Sequence, residues 1–425
     1  MGKSQKDRKS KEKRTRKRDR MEKVLKTLGY WDLVERLPPE LQSKLTVYGP
    51  QFSLRVEAGD GMTGHEEVVK AARKAGEEAM LIGEPWDSVK LMEAIEIMLR
   101  LRTVFRPYGP EKLAKMPAKY VEPIERLKKA HTPEAMPQLM MGLSIMVRGC
   151  LHQYSRYTKT MFWSEAAHNM MGTTMNFTLR IHGAKPESRK VDLKGYMRTA
   201  WRCGCWTENG SSFEGLSWAE KDLPGANGDE ERMLPLYVQH HTLHHLCERM
   251  DFTTDEAIGK GHYWLGRSLQ DPVILPPVEG RYLVEFKYAG KTAGYFVAKK
   301  ADDCIVITTF LFLTMMGTPQ AKKLRKHLGI ERETIEYLEL ERLKTFRDPD
   351  IQNDKELMDI FTQCDCHHLF EIAKLDPHEV DSMPGHAELC RKIFFPQEFM
   401  DGKPWKEDDA PHIKMLEAML YREKG

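Results

Sequence analysis

The chain is 425 residues long, 41% hydrophobic and 30% charged, with a formal net charge of +3. That length and apolar content exclude both a single small core and a wholly disordered chain, and predict two or three folded units. The small net charge hides an asymmetry: residues 1–20 carry eleven Lys or Arg against three acidic residues, a net of +8, which leaves −5 on the remainder.

From the N-terminus, a run of like charge with almost no apolar residue predicts a disordered basic arm over residues 1–22. Such charge suits a phosphate backbone through counterion release. Nucleic acid is therefore the expected partner, with Lys13, Arg14, Arg16, Lys17 and Arg18 among the contact residues. Composition alone does not separate this from a solubilising tail or a membrane-surface contact. The first twenty residues lack the apolar segment of a secretory signal. The most apolar stretch, Leu139–Leu151, is too short to span a bilayer and contains Arg148. Eight scattered cysteines suit reduced thiols, so a cytoplasmic location away from membranes is expected.

Residues 23–185 read as a mainly helical domain, a candidate surface for a protein partner or inhibitor. Apolar spacing predicts helices at Glu22–Leu37, Glu66–Met80, Ser88–Arg102, Pro137–Tyr157 and Ser164–Met171, with one short strand around Phe52, Leu54 and Val56. After that strand comes a G-x-G-x-x-G, formed by Gly59, Gly61 and Gly64, with Glu84 at the distance of a ribose contact. Helix follows helix beyond it, without a βαβ continuation, and Thr63 with Glu66 reads as a capping box. No cofactor is expected there.

Residues 186–345 read as an α+β domain. Strand-like segments (Phe177–Ile181, Tyr196–Trp206) and a Gly- and acid-rich loop lead to a helix at Gln239–Met250. An antiparallel meander follows: Tyr282–Tyr288, Thr292–Lys299 and Cys304–Leu313, whose continuous apolar run marks the central strand. Thr318-Pro319 opens a helix ending at Leu328. Helices at Thr334–Leu343, Lys355–Phe361 and His412–Arg422 complete the chain, with 346–425 as a helical C-terminal segment. The expected fold class is α+β.

Two Cys-x-Cys pairs occur, Cys203/Cys205 and Cys364/Cys366. The second precedes His367 and His368, which makes Cys364, Cys366 and His367 weak zinc candidates. Neither pair has the usual two-residue spacer, and buried structural thiols are the better expectation. The most informative segment is Gln239-His-His-Thr-Leu-His-His-Leu-Cys-Glu-Arg-Met250. On a helix, His241, His245 and Arg249 form one stripe with His244 and Glu248 beside it, while Leu243, Leu246 and Met250 supply an apolar face. Imidazoles serve as acid or base near neutral pH, and guanidinium grips phosphate. A hydrated polar face, or a His-x-x-x-His metal pair without a clear third ligand, would account for the same residues.

This helix, followed by Phe252–Ile258 and the meander, resembles the RelE/BrnT-like superfamily of toxin ribonucleases over about residues 237–314. The match rests on an H-x-x-x-R-x-x-E-R signature. Here His241 takes the first position, Glu248 and Arg249 the last two, and His245 stands where the family has Arg. The resemblance implies metal-independent RNA cleavage, with the ribose 2′-hydroxyl attacking its own phosphate. It makes His241 and His245 the acid/base pair, Glu248 the orienter of one imidazole, and Arg249, with Arg281 or Lys287 from the first strand, the phosphate ligands. A non-catalytic nucleic-acid-binding or scaffold protein that keeps the fold, and a metal-dependent enzyme using His241 and His245, are the competing readings.

Overall fold

The computed structural model describes residues 2–81, 88–129, 135–193, 195–207, 212–225, 232–328 and 332–375. Its first part contains α1 (Gly2–Thr27), α2 (Trp31–Glu35), α3 (Pro39–Ser43), β1 (Gln51–Ala58), α4 (Glu66–Glu78), α5 (Leu91–Phe105), α6 (Pro110–Leu113), α7 (Ala118–Lys129), α8 (Ala135–Tyr154), β2 (Met161–Met171) and β3 (Thr174–Ala184). Its second part contains β4 (Ser188–Asp192), β5 (Met197–Arg202), β6 (Gly204–Trp206), β7 (Phe213–Gly215), β8 (Ser217–Ala219), β9 (Met233–Gln239), α9 (His240–Arg249), α10 (Asp255–Gln270), β10 (Ile274–Val278), β11 (Arg281–Tyr288), β12 (Lys291–Ala301) and β13 (Cys304–Phe312). Then follow α11 (Pro319–Leu328), α12 (Arg332–Tyr337), α13 (Pro349–Asn353), α14 (Lys355–Gln363) and α15 (His367–Ala373). The fold class is α+β.

The basic arm is helical, a correction to the expectation of disorder. Lys, Arg, Gln and Glu are good helix formers, and Arg8 meets Glu12 at 3.3 Å one turn on. Tertiary packing then holds the C-terminal end, where Met21, Val24 and Leu25 are buried. The helix expected over Glu22–Leu37 is broken at Gly29, whose φ of 75° is a left-handed helix stop.

Below α1 lies an internal ion pair. Arg100 on α5 is fully buried; its Nε donates to Pro50 O at 3.0 Å, its Nη1 to Leu45 O and its Nη2 to Glu96 at 2.5 Å. Glu96 also accepts from Arg20 of α1 at 3.1 Å, and Arg20 reaches Glu93 at 3.1 Å. The charged helix is thus linked to the domain by half-exposed Arg20, which reaches the buried Arg100–Glu96 pair.

Ser164–Met171 is strand, not helix. β2 and β3 form a hairpin closed at Gly172, paired from Met161↔Ala184 to Met171↔Thr174, and β1 joins β3 in parallel to complete a three-stranded sheet. Long-range pairing overrides the helix propensity of this segment, so residues 23–185 are less helical than expected. The glycines after β1 serve close packing: a Cβ on Gly61 would lie 1.8 Å from Gly183 O, and one on Gly59 2.6 Å from the His182 ring. α4 starts from His65 with no side-chain cap, so Thr63 does not complete a capping box. Glu84 lies outside the described residues.

The second sheet runs β10-β11-β12-β13-β9-β5-β4, with β8 also on β9. The meander β11-β12-β13 is as predicted, and β13 sits mid-sheet between β12 and a parallel β9. Phe286, Phe296 and Phe310 meet across it edge-to-face or tilted, with centroids 5.3–5.5 Å apart. Thr318 caps α11 by accepting from Ala321 N at 3.1 Å. Thr334–Leu343 is only partly helical: α12 ends at Tyr337 and a 3-10 turn spans Leu343–Arg347.

Beside a small cluster of Val191, Ala200, Tyr237, Cys304 and Val306, two large hydrophobic cores correspond to the two parts, one from Met21 to Ile181 and one from Tyr157 to Ala373. They interleave around residues 157–181. Phe346, Phe361, Leu369 and Phe370 pack into the second core. The helix expected at His412–Arg422 lies outside the described residues.

Candidate functional site

α9 follows β9 without a loop: Gln239 is still extended at φ −82°, ψ 148°. Thr242, Leu243, Leu246 and Met250 form its buried face. Two hydrogen bonds pin the helix to β13: Thr242 Oγ1 donates to Ile307 O at 3.0 Å, and Arg249 Nη1 donates to Phe310 O. The predicted histidine stripe is therefore left on the outer flank, with His241 and His244 exposed and His245, Glu248 and Arg249 half-buried.

The imidazoles converge. His241 Nε2 and His245 Nε2 are 3.0 Å apart, with ring centroids at 4.0 Å. Glu248 Oε2 lies 3.5 Å from His245 Nδ1 and 3.8 Å from His244 Nδ1, while its Oε1 accepts from Arg342 at 2.6 Å. Burial, with Arg249 and His241 alongside, holds the His245 imidazole below its ordinary pKa, against the opposing pull of Glu248. A hydrogen bond across that separation needs one ring nitrogen to donate and the other to accept.

The cations are arranged differently from expectation. Arg249 is turned to the β13 backbone, and burial lowers its pKa. Arg281 and Lys287 lie on β11, where they face Glu279 at 4.0 Å and Glu285 at 3.7 Å. α9 packs mainly on β13, β9 and β5, whereas β11 is two strands beyond β13, about 10 Å across the sheet. Strand alternation also puts Arg281 and Lys287 on the face opposite buried Tyr282, Val284, Phe286 and Tyr288. They do not join the imidazoles. The cation that does approach is Arg342, which lies 94 residues from Glu248 in sequence. No local pattern announces it.

Cys364, Cys366 and His367 do not form a ligand set. Both thiols are buried in the second core, and burial raises their pKa. Among the described residues, one group of three potential ligands gathers closely enough for a metal ion: His244, His245 and Glu248.

The geometry thus brings together His241, His245 and Glu248 and separates them from Arg281 and Lys287. α9 is followed by α10 and β10 before the meander β11-β12-β13. No protein-family model matches the chain, and no match is found among curated proteins or solved structures. Among the described residues, no helix is long and apolar enough to cross a membrane.

Proposed function

We propose that this protein binds nucleic acid, RNA foremost, by laying the N-terminal part of α1 along a phosphate backbone. The observation that supports this is the surface of that helix. Arg8, Lys11, Lys13, Arg14, Arg16 and Arg18 are all exposed, and Lys17 is partly so. A helix of 26 residues is about 39 Å long, enough to follow several phosphates. Its far end is fixed by Met21, Val24, Leu25 and the Arg20 ion pairs, so charge is presented from an anchored rod. RNA is favoured over other polyanions by the likeness of residues 237–314 to toxin ribonucleases.

The test is fluorescence anisotropy of a labelled single-stranded RNA at low salt. Substituting Gln for Lys13, Arg14, Arg16 and Arg18 together is expected to weaken binding at least about tenfold, since four phosphate contacts are removed. Unchanged affinity would leave the proposal without support.

Cleavage of the bound strand is a second reading, favoured by the 3.0 Å approach of His241 and His245. Fragments that appear with the wild type and vanish in the His241→Ala/His245→Ala variant would establish it. Intact RNA in both samples confines the protein to binding.

A further inference from the structure

His241 and His245 stand one helical turn apart on α9, with their Nε2 atoms 3.0 Å apart. Zinc sits about 2.0–2.1 Å from an imidazole nitrogen. Two nitrogens on one ion, at angles between right-angled and tetrahedral, therefore lie about 2.9–3.4 Å apart. The pair already has that spacing. We propose that His241 Nε2 and His245 Nε2 together hold one transition-metal cation of the zinc, nickel or copper class. Magnesium and calcium require oxygen ligands and do not suit the site.

The surroundings fit that role. The other ring nitrogen of His245, Nδ1, is buried, makes no hydrogen bond and lies 3.5 Å from Glu248 Oε2. A carboxylate in that position orients a ligating imidazole and raises its basicity. Arg342 fixes Glu248 in turn, at 2.6 Å. Exposure of His241 leaves the remaining coordination positions to water or to an incoming phosphate oxygen. The charge working against the ion is Arg249, which keeps affinity modest, although its Nη1 is turned to Phe310 O.

A second arrangement uses His244 Nδ1, His245 Nδ1 and Glu248, whose ligand atoms lie within 4.8 Å of one another. It would set the cation against the guanidinium of Arg342, which is bonded to the same carboxylate. The Nε2 pair lies on the far side of the His245 ring.

Zinc uptake by the full chain, measured by competition with a chromophoric chelator, distinguishes these. The wild type is expected to take up one equivalent that is lost in His241→Ala and in His245→Ala and is retained in His244→Ala. Glu248→Gln should weaken that equivalent about tenfold, the effect of removing an outer carboxylate. Zinc held by the cysteines would be common to every variant, and circular dichroism checks that each remains folded. Equal uptake by wild type and both Nε2 variants would overturn the proposal. So would loss in His244→Ala with retention in His241→Ala, which would move the ion to the Nδ1 set. RNA is absent from the assay, so its result is separate from the nucleic-acid reading.

Discussion

Replacing Arg100 by alanine is expected to lower the unfolding free energy by about 3–5 kcal/mol, the cost of breaking a buried ion pair from one side. The guanidinium is fully buried and serves three partners at once: Leu45 O, Pro50 O and Glu96. Its loss removes the side-chain donor from two carbonyls and leaves a nearly buried carboxylate with Arg20. The chain at Gly49 also packs closely on the Arg100 stem, since a Cβ there would lie 2.9 Å from Arg100 Cγ, so the substitution removes packing as well. Urea denaturation measures the change. Arg36→Ala provides the contrast: Arg36 pairs with Glu122 at the surface, with both side chains about half exposed, and its loss should cost less than about 1 kcal/mol. Similar midpoints for the two variants would contradict the account. The Arg100 variant also tests the anchoring of α1, since Glu96 links Arg100 to Arg20.

The second large effect is a loss of stability on mild acidification. His152 is enclosed between Trp206 and Tyr263, at centroid distances of 4.2 and 4.4 Å. Burial, aided by Arg148, pushes its pKa down to about 3. His262 is 3% exposed, and its Nδ1 accepts a hydrogen bond from Tyr157 N at 3.3 Å. Burial, followed by Arg156 and His240, lowers it likewise to about 3. Both are neutral when folded but take up a proton near pH 6.5 once unfolded. The unfolded chain therefore binds more protons between those values, and stability falls as pH drops through that window. The stabilisation is intact above about pH 6.5, and the loss below it is about 1.4 kcal/mol per pH unit for each histidine. Denaturation midpoints at pH 7 and pH 5 should differ strongly for the wild type. The difference should be about halved in His152→Phe, which keeps the aromatic stack but cannot titrate. Equal midpoints at the two pH values would mean that neither imidazole is held neutral.

Local pattern made the meander legible: β11 alternates residue by residue, and β13 reads as a continuous apolar run. The α9 stripe was legible for the same reason, because four-residue spacing decides which side chains meet on a helix. Thr318-Pro319 announced α11 by its chemistry alone. What stayed hidden depends on partners distant in sequence. β1 finds β3 more than a hundred residues later, and that pairing recruits a segment with helical composition into β2. Arg342 reaches Glu248 from beyond the meander, and Arg281 and Lys287 miss the site because two strands intervene. For α1, the scarcity of apolar residues argued for disorder, while Met21, Val24 and Leu25 at one end and the Arg20–Glu96 link provide docking that composition does not reveal.

The proposed neutralisation of phosphates by the basic side chains of α1 is measured directly by the salt dependence of RNA affinity. For single strands the slope of log affinity against log salt is about −0.7 per neutralised phosphate. Six contacts would thus give about −4. The wild type is expected to show a slope of that order, and the variant with Gln at positions 13, 14, 16 and 18 one shallower by about 3. A steep slope that is the same in both proteins would place the phosphate grip elsewhere on the chain and contradict the claim.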